Sequence, residues 1–108
     1  MRFVPITRAA ALVLTSIGPA AAAGGDIKRG EMLVTRDCGR CHAVGRSGDS
    51  PRKEAPPFRT LGKRYPIESL EEALGEGIMS GHPDMPEFSY EADEVGGIIA
   101  YLKSIQQP

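Results

Sequence analysis

The chain has 108 residues, room for one domain, with 13 basic against 14 acidic side chains, a formal charge of −1, and only two cysteines. That charge speaks against a nucleic-acid or anionic-membrane surface, both of which reward a basic face. Two cysteines three positions apart, Cys38 and Cys41, cannot serve as a disulfide scaffold, because a bridge between them would restrict the unfolded chain very little.

The first predicted element is a signal peptide over residues 1–23. Arg2 and Arg8 precede an apolar run from Ala9 to Ile17, then Gly18-Pro19 and the small residues Ala20 to Ala23. The run is well below the roughly 20 residues that cross a bilayer, and Gly18-Pro19 breaks it, so removal near Ala23 is expected rather than a retained anchor. Residues 24–108 then form the mature domain, with 11 basic against 14 acidic residues, a formal charge of −3. A domain of this size has little core of its own and needs a staple.

Asp26 is an N-cap for a helix running to about Asp37, with Ile27, Gly30, Val34 and Cys38 near helical spacing. Gly45 to Pro57, with seven Gly, Ser and Pro residues, reads as an irregular loop. A second helix is expected from Pro66 to Gly75 or Gly77. Gly81 to Phe88, punctuated by Pro83 and Pro86, is a second irregular stretch. A last helix runs from Ala92 to Ile105 on the stripe Val95, Ile98, Ile99, Leu102 and Ile105. No segment alternates as a half-buried strand would, so the fold class is all-α. Gly30 and Gly97, each costing about 1 kcal/mol against alanine inside a helix, would let two backbones approach, with Tyr101 one turn beyond.

Cys38-Gly39-Arg40-Cys41-His42 is the C-x-x-C-H signature of c-type haem attachment. Two thiols on one turn can add to the two vinyl groups of a haem, and the following His42 lies beneath the ring, placed to ligate iron. The attachment needs an exported compartment, in agreement with the signal peptide, and places the protein in the periplasm. A thioredoxin-like pair would expect a βαβ pattern, and a zinc ion would need four ligands, whereas His82 is the only other histidine.

The sixth ligand is expected from the other irregular loop. Met85, between Pro83 and Pro86 on a stiff backbone, is favoured over Met79; Met32 is read as packing and His82 as a residue of the pocket rim. The apolar residues expected to wall the haem are Leu33, Val34, Phe58, Leu61, Leu70, Leu74, Ile78, Phe88, Ile99 and Leu102.

From about Gly25 to Gln106 the chain resembles a class I cytochrome c. The likeness rests on the C-x-x-C-H run, on Pro56-Pro57-Phe58, on the stretch from Gly81 to Phe88, and on Ile98 to Lys103. The resemblance implies three to four helices wrapped around one covalent haem c, with thioethers at Cys38 and Cys41 and axial ligands His42 and Met85. It also implies a proline carbonyl, that of Pro56, accepting the Nδ1 proton of His42, and a crossing of the first and last helices near Gly30 and Tyr101. The tryptophan that holds a haem propionate in the best-known members is absent; Tyr65, Arg59 and Arg64 are the nearest substitutes. Their dense lysine surface is absent too, so no docking partner carries over.

A saturated His/Met iron suits electron transfer rather than enzymatic turnover, with donor and acceptor proteins as partners and a monomer or a small subunit as the form. The alternatives are a gas- or peroxide-binding haem protein with a labile sixth ligand, for which no distal acid–base pair is evident, and a dedicated cytochrome subunit of a larger dehydrogenase or oxidase.

Overall fold

In the computed structural model, which describes residues 13–14, 18, 25–77 and 85–108, Asp26 opens the first helix as the sequence suggests. Its carboxylate accepts the Arg29 amide at 3.2 Å, satisfying one of the first-turn donors, and helix α1 runs over Ile27–Cys38. The buried stripe of α1 is Gly30, Leu33 and Val34, whereas Ile27 is half exposed. Met32, expected to pack, is 69% exposed instead, because it stands on the opposite face of α1 from that stripe.

Residues 45–57 form an irregular loop. It is followed by a 3₁₀ segment over Phe58–Lys63 that the sequence pattern does not predict. The second expected helix begins differently from its prediction. Pro66 is the cap rather than the first helical residue, Ile67–Leu70 are 3₁₀, and only Glu71–Glu76 form helix α2. Helix α2 stops at Gly77, whose φ of 76° is left-handed and suits a residue without Cβ. Helix α3 spans Ala92–Ile105 and opens with a capping box between Glu91 and Glu94. The described residues contain no strand, and the fold is all-α.

Helices α1 and α3 cross at their glycines. A Cβ at Gly30 would stand 2.0 Å from the carbonyl oxygen of Gly97, and one at Gly97 would stand 2.7 Å from that of Asp26. Only glycine allows the two backbones to meet this closely, which accounts for two residues that weaken their own helices. Arg29 and Glu94 close the same crossing with an ion pair at 3.0 Å. The core beneath comprises Leu33 and Val34 of α1, Phe58, Leu61 and Ile67 of the 3₁₀ segments, Tyr90, and Val95, Ile98, Ile99, Tyr101, Leu102 and Ile105 around α3. Cys38, Val44, Leu70, Leu74 and Phe88 pack against it from partly buried positions. Among the described residues no helix is long and apolar enough to cross a membrane.

Candidate haem site

The end of α1 and the turn after it bring the C-x-x-C-H residues together. The amides of Cys41 and His42 both donate to the carbonyl of Cys38, at 3.2 and 3.0 Å, so both thiols and the imidazole leave one tight turn. The loop that follows folds back to hold this turn. The Arg52 amide donates to the Cys41 carbonyl at 3.1 Å, the Ala43 amide to Ser50 Oγ at 3.0 Å, and the Phe58 amide to the Ala43 carbonyl at 3.0 Å. Arg59 donates to the Gly48 carbonyl at 2.7 Å, and the Tyr101 hydroxyl donates to the Val44 carbonyl.

This return places Pro56 against His42. Nδ1 of the ring lies 2.8 Å from the Pro56 carbonyl oxygen, and the ring sits 4.6 Å from that of Phe58. A carbonyl can only accept, so Nδ1 carries a proton, and in the neutral ring the lone pair is then on Nε2. His42 is 9% exposed, so this orientation is fixed by the protein rather than by water. A histidine oriented through its outer nitrogen onto a carbonyl is the usual arrangement of a metal ligand.

Cys38 and Cys41 are free thiols, each partly buried. Burial pushes the Cys38 thiol up to about 11, with the Asp37 charge and Cys41 adding to it. Such a thiol stays protonated near neutral pH, the reverse of the low-pKa thiolate of a disulfide oxidoreductase. The two thiols and an oriented imidazole on one turn, backed by an apolar core, fit a covalent porphyrin; among the described residues no group of three or more His, Cys, Asp and Glu is arranged to hold a metal ion.

The other expected residues are less concentrated. Met85 is partly buried, at a bend that leads back to α3. Ile78, Met79, His82 and Pro83 lie outside the described residues, as does most of the segment 1–23. Tyr65 follows the first 3₁₀ segment, 37% exposed, with its amide on the Leu61 carbonyl; burial raises its phenol. Arg64 is exposed, and Arg59 is engaged with Gly48. Sequence reasoning missed the Arg36, Asp37 and Tyr90 cluster beside Cys38, in which Asp37 accepts from both neighbours. Tyr90 is far from the other two in the chain, and no local pattern joins them.

An all-helical chain with a C-x-x-C-H turn at the end of its first helix and a glycine crossing to its last is the architecture of a class I c-type cytochrome. Comparison with known proteins agrees. Residues 25–102 match the family described as cytochrome C oxidase, cbb3-type, subunit III. The chain is 31% identical over 81 residues to cytochrome c-552 of Bradyrhizobium diazoefficiens, covering 75% of this chain and 76% of the relative. It is 30% identical over 86 residues to cytochrome c6 of Bryopsis maxima, covering 73% of this chain and 91% of the relative. The chain belongs to this c-type cytochrome family; its cofactor is covalent haem c, and it is a haem-based electron-transfer protein that works with redox partners.

Proposed function

We propose that this protein is a periplasmic carrier of single electrons, and not an enzyme, whose one haem c is joined to Cys38 and Cys41 and ligated by His42 and Met85. Residues 1–23 are removed on export, and 24–108 are the working domain. The observation that carries the ligand reading is the bond from His42 Nδ1 to the Pro56 carbonyl, which leaves Nε2 as the donor atom.

Haem c supplies a reversible one-electron couple when bound. The residues do the rest. His42 is held at one angle by Pro56 and Phe58, so it keeps its geometry in both oxidation states and adds little reorganisation to a transfer. Met85 offers a neutral thioether that favours the reduced state and raises the potential. Together the two would saturate the iron of a bound haem and leave no position for a substrate. Leu33, Val34, Phe58, Leu61, Ile99 and Leu102 form buried apolar surroundings that exclude water and push the potential the same way. Tyr65 is the proposed partner of a haem propionate.

The test is an optical spectrum of the purified protein and two of its variants. Met85→Ala is expected to lose the thioether-to-iron band and lower the potential, while Met79→Ala keeps both; the opposite pattern moves the ligand to Met79. Ready carbon monoxide binding by the reduced native protein would favour a gas-binding haem instead. Mass spectrometry of the product from its own host should give a chain starting near Gly24 with one haem attached.

A second reading, a permanent subunit of a larger oxidase, is favoured by the description of the matching family. Co-purification from native membranes decides between them: a free monomer supports the shuttle, and a stable complex supports the subunit.

A further inference from the structure

Helix α3 ends beside the loop that carries both partners of the His42 bond. That loop leaves the haem-attachment turn along His42, Ala43 and Val44 and returns along Pro56, Pro57 and Phe58, so it has an outgoing and a returning limb. The limbs meet where the Phe58 amide donates to the Ala43 carbonyl at 3.0 Å. His42 belongs to the outgoing limb and Pro56 to the returning one, so the 2.8 Å bond between them lasts only while the limbs stay together.

Two side chains near the end of α3 grip one limb each. The Tyr101 hydroxyl donates to the Val44 carbonyl, two residues past His42. Tyr101 is 6% exposed, and a phenol so buried needs a partner for its proton. Gln106, the cap of the same helix, donates from Nε2 to the Phe58 carbonyl at 2.8 Å, two residues past Pro56, and to the Leu102 carbonyl of α3 at 2.8 Å. Its side chain therefore ties the returning limb to the helix that holds the outgoing one.

We propose that Tyr101 and Gln106 are positioning residues for His42: by fixing Val44 and Phe58 to one helix, they keep the Pro56 carbonyl on Nδ1 and so fix the orientation of the ring that presents Nε2. The inference rests on the reading of His42 as an axial ligand.

The physical argument is one of populations. The Nδ1 proton exchanges with water only when the Pro56 bond opens, so its exchange rate follows the fraction of time the limbs are apart. Losing one of the hydrogen bonds that tie a limb to α3 raises that fraction by up to about tenfold. A carbonyl on Nδ1 also strengthens the imidazole as a donor through Nε2, so a loosened bond leaves a weaker donor and a higher reduction potential. Tyr90 provides an internal comparison. It is also in the core, but its hydroxyl donates to Asp37 of α1 and touches neither limb.

The experiment is NMR of the reduced haem-loaded protein with isotope-labelled histidine, which the chain's two histidines keep free of overlap. The exchange rate of the His42 Nδ1 proton is read as a ratio to that of the Ile99 amide, in the buried middle of α3. A general loss of stability raises both rates and leaves the ratio alone. Tyr101→Phe is expected to raise the ratio about tenfold and to raise the reduction potential, while Tyr90→Phe stays within about twofold of the native ratio. Gln106→Met, which keeps the reach of the side chain and loses its amide, should move both quantities the same way and serves if Tyr101→Phe does not fold. An unchanged ratio or potential in these variants, or an equal change in Tyr90→Phe, overturns the proposal. A His42 ring in the native protein without the large upfield shift that a ligated haem imposes would instead refute the ligand reading, so the two failures are told apart.

Discussion

At the scale of single residues, hydrogen bonds decide what the ionisable groups near the haem turn can do. Pro56 selects the tautomer of His42, and Arg36 selects the ionised form of Asp37. The bonds from Arg36 hold the Asp37 carboxyl below the usual carboxylate range; burial works against them, and Tyr90 adds to them. A carboxyl whose pKa is depressed on folding contributes stability in full above its unfolded value, about 3.9, and loses it as pH falls through the lower folded value. Asp37→Asn should therefore lower the denaturant midpoint of the haem-loaded protein at pH 7, and the gap from the native protein should close on acidification. A gap independent of pH would mean that the charge of Asp37 adds nothing to the fold. Cys38, Cys41 and His42 are legible in the sequence by themselves, because their chemistry lies in their spacing. Pro56 is legible only through the family likeness. The bond between Asp37 and Tyr90 joins residues 53 apart, and neither position is unusual in its own neighbourhood.

Among the elements, the glycines separate packing from propensity. A methyl at Gly96 would meet Gly25 at an ordinary 3.5 Å, whereas one at Gly97 would collide with the Asp26 carbonyl at 2.7 Å. Gly96→Ala is expected to leave stability unchanged or raise it by up to about 1 kcal/mol, from helix propensity. Gly97→Ala, one position on, should cost about 1–3 kcal/mol or more through overpacking. Chemical denaturation of the two variants side by side measures the contrast; equal effects would show that α1 and α3 are not in backbone contact. The bounds of α1 and α3 follow from Asp26, the apolar stripe of α3 and the absence of proline within either helix. The 3₁₀ segment Phe58–Lys63 does not, because no local period holds it. It is held from outside: the Gln106 side chain accepts the Gly62 amide at 2.7 Å and donates to the Phe58 carbonyl at 2.8 Å, and the Gln107 amide donates to the Arg59 carbonyl at 2.9 Å. Pro66 signals a helix start, yet the turn after it is tightened to 3₁₀ before α2 begins.

For the molecule as a whole, one small core serves two purposes. Leu33, Val34, Phe58, Leu61, Ile99 and Leu102 pack on one another and are also the expected walls of the haem. A domain of this length buries little more than about 60% of its surface, so a large apolar cofactor stands in for core it lacks. The double variant Cys38→Ala and Cys41→Ala, made without haem, should lose cooperative thermal unfolding and much of its helical circular dichroism. A sharp transition near that of the haem-loaded protein would show that the polypeptide folds by itself.

The glycine crossing also sets an order of events in biogenesis. Arg29 and Glu94, which close it, are 65 residues apart in sequence, and α3 is the last of the described helices to be synthesised. Until that helix has been made, α1 and the thiol-bearing turn at its end lack the partner against which their backbone is built to pack.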